Sequence, residues 1–132
     1  MSVAFTEQAV WERRKTVTRR KGWWEDKNGR RLLREGDHLT LCRKVMGRKK
    51  GEPLVRIAEV EVIGVRREPL CAVGGPYILR DDAPTIWPEV VAEGFPDMGP
   101  SEFMLRFFIP QGIHAMDDVT RIEWRYLDEV SS

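Results

Sequence analysis

Val119-Thr120-Arg121-Ile122-Glu123-Trp124-Arg125-Tyr126 alternates without a break. Thr120, Ile122, Trp124 and Tyr126 fall on one side, and Arg121, Glu123 and Arg125 on the other. That two-residue period is the signature of a half-buried strand, with Ile122, Trp124 and Tyr126 pointing into a core. Working back from it, Leu54 to Arg67 is a second long, β-branched run. Ala58, Val60 and Val62 share one face there, and Gly64 marks an expected bulge or bend. His38 to Val45 repeats the pattern with Leu39, Leu41 and Val45 on one side, and Lys15 to Arg20 favours extended chain.

Short helices separate these strands. Thr6 suits an N-cap, with Phe5 and Val10 in staple positions, and predicts a helix to about Arg14. Thr85 or Pro88 opens a second helix that Gly94 closes. Pro100 to Ile109 predicts a third, which places Phe103, Met104, Phe107 and Phe108 at helical spacing before Pro110. Gly74-Gly75-Pro76 and Asp81-Asp82-Ala83-Pro84 read as loop. Strands with short helices inserted between them predict an α+β fold with a curved or closed sheet. Its 132 residues suit a single domain over 1–132, because halves would be too small to bury separate cores.

Composition narrows the function. Charged residues make up 33% and hydrophobic residues 42%, as expected of a folded globular chain. No apolar run is long enough to span a bilayer, and Met1–Phe5 predicts no secretory leader, so a cytoplasmic protein with no membrane partner is expected. Cys42 and Cys71 with His38 and His114 match no metal spacing, and neither a metal nor another cofactor is expected. The net charge of +1 conceals a division: residues 1–67 hold 18 Lys/Arg against 9 Asp/Glu, residues 68–132 hold 4 against 12. A basic half can attract a polyanion, and an acidic half can hold it by internal pairing.

The densest charge lies in residues 13–21, Arg-Arg-Lys-Thr-Val-Thr-Arg-Arg-Lys, with six cations in nine positions. Either this is a solvated charge run, or Arg14, Arg19, Arg20 and Lys21 meet nucleic-acid phosphates. Trp23 and Trp24 follow directly, as surfaces for base stacking or as core anchors. Arg48-Lys49-Lys50 is a basic loop, solvated or phosphate-contacting, and Glu89, four residues before Glu93, predicts a solvated pair.

Lys15-Thr16-Val17-Thr18-Arg19, Gly36-Asp37 before a strand, Glu93-Gly94-Phe95 and Val119-Thr120-Arg121-Ile122 together resemble the ASCH domain, in order and spacing, from Phe5 to Leu127. The resemblance implies a PUA-like β-barrel with short helices, a cleft beside them, and an association with RNA. Small bacterial members include amidohydrolases that remove the acetyl group of N4-acetylcytidine with a Lys-x-x-Thr pair and a downstream glutamate. Carried over, these are Lys15, Thr18 and Glu93. Other ASCH-like proteins are ribonucleases or non-catalytic binding modules, so the implied partner is RNA or a modified nucleoside. This chain differs in an added loop near Ala72–Trp87 and in its residues between Thr18 and Gly36.

The chemistry of that trio sets its own conditions. A threonine hydroxyl attacks only when a base takes its proton, and lysine is that base only when burial or neighbouring cations lower its pKa. An ionised glutamate opposes this, whereas a protonated one can donate to a leaving amine. Residues 15 and 18 of one continuous strand point to opposite faces, so the two converge only where a helix-to-strand junction separates them.

Overall fold

The structure, a computed structural model, describes residues 1–79, 81 and 85–128. Of the expected Asp81–Pro84 turn, Asp82, Ala83 and Pro84 lie outside the described residues. Four strands form one antiparallel sheet in the order β1-β4-β3-β2. They are β1 (Val17–Arg20), β2 (His38–Cys42), β3 (Arg56–Pro69) and β4 (Asp118–Tyr126). Helices α1 (Glu7–Trp11), α2 (Pro88–Ala92) and α3 (Pro100–Phe107) are short, and the fold is α+β.

β4 lies inside the sheet, between β1 and β3. Thr120, Ile122, Trp124 and Tyr126 are all buried, as their alternation predicts. The three large ones pack with Val10, Leu41, Val60 and Val62 in the main core. β3 is long enough to pair with β2 through its first half and with β4 through its second. Between Val62 and Gly64 its register slips by one residue, with Ile63 as the extra residue, so the expected bulge is present. A bulge bends a strand and raises its twist, which curls the sheet. Met1–Val3 then lies along the free edge of β2, where Val3 N–H donates to Cys42 O at 2.8 Å. Arg20, at the end of β1, reaches across to Ser2 O. The two edges of the curled sheet therefore meet through the N-terminal segment.

A second core lies under the helices: Leu70, Val73, Val90, Phe103, Phe108, Ile113 and Val119. Phe103 and Phe108 are buried and Met104 and Phe107 pack against them, so the expected aromatic cluster is core.

Three local expectations are corrected. α1 ends at Trp11, short of Arg14, because Arg13 adopts a left-handed φ of 61° that turns the chain. That conformation is uncommon for a side-chain-bearing residue. Arg13 is held in it by a bond to Val10 O, an ion pair with Asp128 and a stack 5.0 Å over Tyr126. Phe5 is no staple: it is 85% exposed and meets the Phe107 ring instead of Val10. Finally, α3 ends at Phe107, and Pro110 sits within a following 3₁₀ turn at Ile109–Gln111.

Candidate functional site

Lys15 occupies the junction between α1 and β1, two residues before the strand begins. Its N–H donates to Ala9 O and the N–H of Thr16 to Ala92 O, so the junction is tied to both α1 and the end of α2. Its carbonyl accepts from Trp124 Nε1 (3.1 Å) and from the Tyr126 hydroxyl of β4. With the backbone fixed this way, the ammonium points inward. It donates to Glu93 O at 2.7 Å and to Glu93 Oε1 at 3.2 Å.

Glu93 reaches that position because α2 ends there. Gly94 takes φ 108°, and a Cβ at this point would stand 3.1 Å from Ala9 Cβ and 3.2 Å from Thr6 Cγ2. Only glycine lets the turn sit so close to α1. Phe95 continues into the aromatic wall, stacked on Phe107 with centroids 4.7 Å apart. The Glu-Gly-Phe element thus supplies a carboxylate, a close approach and a ring in succession.

A cleft of about 880 Å³ opens between β1 and the helices. Lys15, Thr18, Arg19, Arg20 and Glu93 line its polar side, and Phe5, Phe95 and Phe107 its apolar side. Lys21 and Arg106 line it as well. The structure thus brings Lys15, Thr18 and Glu93 to one cavity, all three almost wholly buried. The ammonium's side-chain partner is Glu93, however, and among the described residues the Thr18 hydroxyl makes no hydrogen bond.

Burial lowers the pKa of Lys15, and the neighbouring Arg20 and Arg19 lower it further. Glu93 works in the opposite direction, yet the net shift is downward. Desolvation also lowers that of Arg20.

The basic run divides sharply. Arg19, expected at a phosphate, has a fully buried side chain. Its Nε donates to Glu68 (3.0 Å), one terminal nitrogen to Glu93 (3.0 Å) and the other to Glu89. Each of its three nitrogens is thus committed to a carboxylate, and the physical reason is that the acidic half has closed around it. Arg14 pairs with Glu12 on the surface, while Arg20 is tied to Ser2 O. Trp23 packs against the main core, and Trp24 carries the Arg31 guanidinium 3.5 Å over its ring. Lys21 lines the cleft, and Arg48–Lys50 lie in their exposed loop, where Arg48 Nε donates to Val45 O at 3.1 Å.

Two residues outside the expected set belong to this cluster. Glu89 is part of no solvated pair: its carboxylate bridges Arg19 and Arg121. Burial would push its carboxyl up, but bonds from Arg121 and Arg19 hold it below the usual range. Arg121, on the polar side of the β4 alternation, is nevertheless buried. The spacing of Glu89 and Glu93 by one helical turn was the available signal for a shared face.

Among the described residues, no group of three or more His, Cys, Asp or Glu is placed to hold a metal ion. No helix there is long and apolar enough to cross a membrane.

No protein-family model matches the sequence, and no curated protein matches it. Among solved structures, an ASCH domain from Lactobacillus crispatus superposes with a TM-score of 0.52 at 11% identity, covering 92% of this chain and 70% of that one. Likeness at that identity is a likeness of fold. The curled four-stranded sheet with its short helices is consistent with that likeness, and this chain has the ASCH fold.

Proposed function

We propose that this chain takes a cytosine nucleoside acylated on N4 into the cleft, free or displayed by RNA, and hydrolyses the amide. The observation that carries the proposal is Lys15: a buried amine of lowered proton affinity, in the same cavity as Thr18 and beside an aromatic wall. Aromatic rings accept an unstacked base, and a lysine of lowered pKa suits a general base. The resemblance to the small amidohydrolases supplies the N4-acetyl group.

In this reaction Lys15 swings from Glu93 toward Thr18 and takes the hydroxyl proton. Thr18 Oγ1 attacks the acyl carbonyl, the bond to N4 breaks, and the Lys15 ammonium returns its proton to the departing amine. Water then cleaves the acyl-threonine ester, releasing the carboxylic acid and restoring the hydroxyl. Arg20 in the cleft offers positive charge to the oxyanion that forms. Glu93 holds the lysine between these steps.

RNA, if it carries the base, meets Lys21 and Arg106 at the cleft. With Arg19 enclosed and Arg20 tied to the backbone, few of the cations at the cleft are free for phosphates, which favours a nucleoside pocket over a phosphate-tracking groove. Incubation with N4-acetylcytidine, followed by mass spectrometry, tests the proposal: cytidine and acetate should appear in equal amounts. Failure of the wild-type protein to release cytidine from either the nucleoside or an oligonucleotide containing it would refute it.

A further inference from the structure

Arg19 and Arg121 stand directly opposite each other on β1 and β4. Like charges in that relation repel. Here Glu89 from α2 lies between them: Arg121 Nε donates to its Oε1 at 2.7 Å and a terminal nitrogen to Oε2 at 3.2 Å, while Arg19 donates to the same Oε1. Glu68 of β3 takes the Nε of Arg19 at 3.0 Å. The remaining nitrogen of Arg19 meets Glu93 Oε2 at 3.0 Å, and Glu93 Oε1 meets Lys15. A continuous chain of ion pairs thus runs from Arg121 through Glu89, Arg19 and Glu93 to Lys15, joining β4, α2, β1 and the junction.

We infer that Arg19, locked by Glu68 and Glu89, is a positioning residue for the Lys15–Glu93 pair, with Glu89 the anchor that fixes it. The geometry supports this over a generic structural role. A guanidinium donates in a rigid plane, so two carboxylates fixed on Nε and one terminal nitrogen determine where the third bond can go. That third bond goes to the oxygen of Glu93 facing away from Lys15, leaving the other oxygen for the lysine. The inference rests on the hydrolase reading for its kinetic consequence, but its electrostatic consequence belongs to the protein alone.

The charged groups around Lys15 are Glu93 from α2 and Arg19 and Arg20 from β1, with the Tyr126 hydroxyl of β4 on its carbonyl. Removing the Arg19 charge takes away a neighbour that lowers the lysine's pKa, so the midpoint rises. Glu89→Gln removes a negative charge from the chain, leaves Arg19 less compensated, and the midpoint falls.

The experiment follows the Lys15 amine by 15N NMR titration in wild type, Arg19→Met, Arg19→Lys and Glu89→Gln, and measures N4-acetylcytidine hydrolysis in each. The expected results are a raised midpoint in Arg19→Met, a lowered one in Glu89→Gln, and partial return toward wild type in Arg19→Lys. Glu89→Gln should also lower kcat about tenfold with KM nearly unchanged, as a slight misplacement of a reacting group does. Should Arg19→Met not fold, Arg19→Lys and Glu89→Gln decide the matter. If the midpoints in the folded variants match wild type, the inference is overturned, even if melting temperatures fall. If wild type hydrolyses nothing while the midpoints move as stated, the hydrolase reading falls and the positioning role stands.

Discussion

Replacing Glu93 by alanine removes the one carboxylate that Lys15 and Arg19 share. Lys15 then keeps only the backbone carbonyl of residue 93, and Arg19 keeps two of its three carboxylates. Breaking a buried ion pair from one side leaves an uncompensated charge and costs about 3–5 kcal/mol. Lysine can relieve this by releasing its proton. Its pKa in the folded protein already lies below the ordinary value of ~10.4. Loss of Glu93 deepens the depression, because Glu93 is the group that raises it. Between the folded and unfolded pKa values the unfolded chain binds more protons, so stability climbs with pH. That window reaches to lower pH in the variant than in wild type. The deficit of Glu93→Ala should therefore be larger at pH 6 than at pH 9.5. Urea unfolding of both proteins across that range measures it. Adding Lys15→Met should recover much of the loss, since it removes the stranded charge. A deficit under about 1 kcal/mol at pH 6, or one independent of pH, would refute the account of a buried, charge-coupled lysine.

Other expectations are equally direct. Gly94→Ala should destabilise by about 2–4 kcal/mol in urea unfolding, combining backbone strain at φ 108° with crowding against Ala9 and Thr6. Trp124→Ala should cost about 3–5 kcal/mol by the same measurement, from the cavity and the lost bond to Lys15 O. Thr18→Ala should abolish N4-acetylcytidine turnover while leaving the melting temperature close to wild type, and the Lys15→Ala/Thr18→Ala double variant should lose little more than the worse single one. The logarithm of kcat/KM should rise with pH through the lowered lysine pKa and level off below the range of an ordinary lysine. In an RNA-binding titration, Lys21→Ala should make the salt slope shallower, whereas Arg14→Ala should leave it unchanged.

How legible each element was follows from the range of the forces that set it. β4 was plain because alternation is a local property and its buried side is large and apolar. The bulge at Gly64 was visible for a similar reason, as a glycine inside a β-branched run. Arg121 was misplaced because its burial depends on Glu89, a residue 32 positions earlier that arrives only when α2 packs on the sheet. The same holds for Arg19, whose three partners come from β3 and α2. Local patterning puts an arginine on a strand's outer side and stops there. The end of α1 was missed because nothing in Arg13 announces a left-handed turn; its restraints come from Asp128 and Tyr126, at the far end of the chain. Lys15, Thr18 and Glu93 were named through their motif and not through any periodicity, and their meeting depends on the junction at residues 15–16.

The two charged halves of the sequence explain why the site is where it is. An excess of cations up to residue 67 and of carboxylates after it nearly cancels in sum, and part of the pairing between the two halves is buried. Lys15 and Arg19 come from the first half, and Glu68, Glu89 and Glu93 from the second. They meet in one buried cluster at the wall of the cleft. Charges removed from water in this way are expensive unless paired, so the cluster forms only when both halves are in place. Surface pairs such as Arg14–Glu12 add little by comparison. The basic run therefore divides: Lys15 and Arg19 lie in the interior, Arg20 and Lys21 line the cleft, and Arg13 and Arg14 form ion pairs away from it. This also accounts for the lysine. Burial is the main cause of its lowered pKa, and Arg20 and Arg19 add to it against the opposing pull of Glu93, which is divided between Lys15 and Arg19. Sharing one carboxylate between two cations in a desolvated pocket shifts the balance toward releasing a proton, and lysine, not arginine, is the group able to release it.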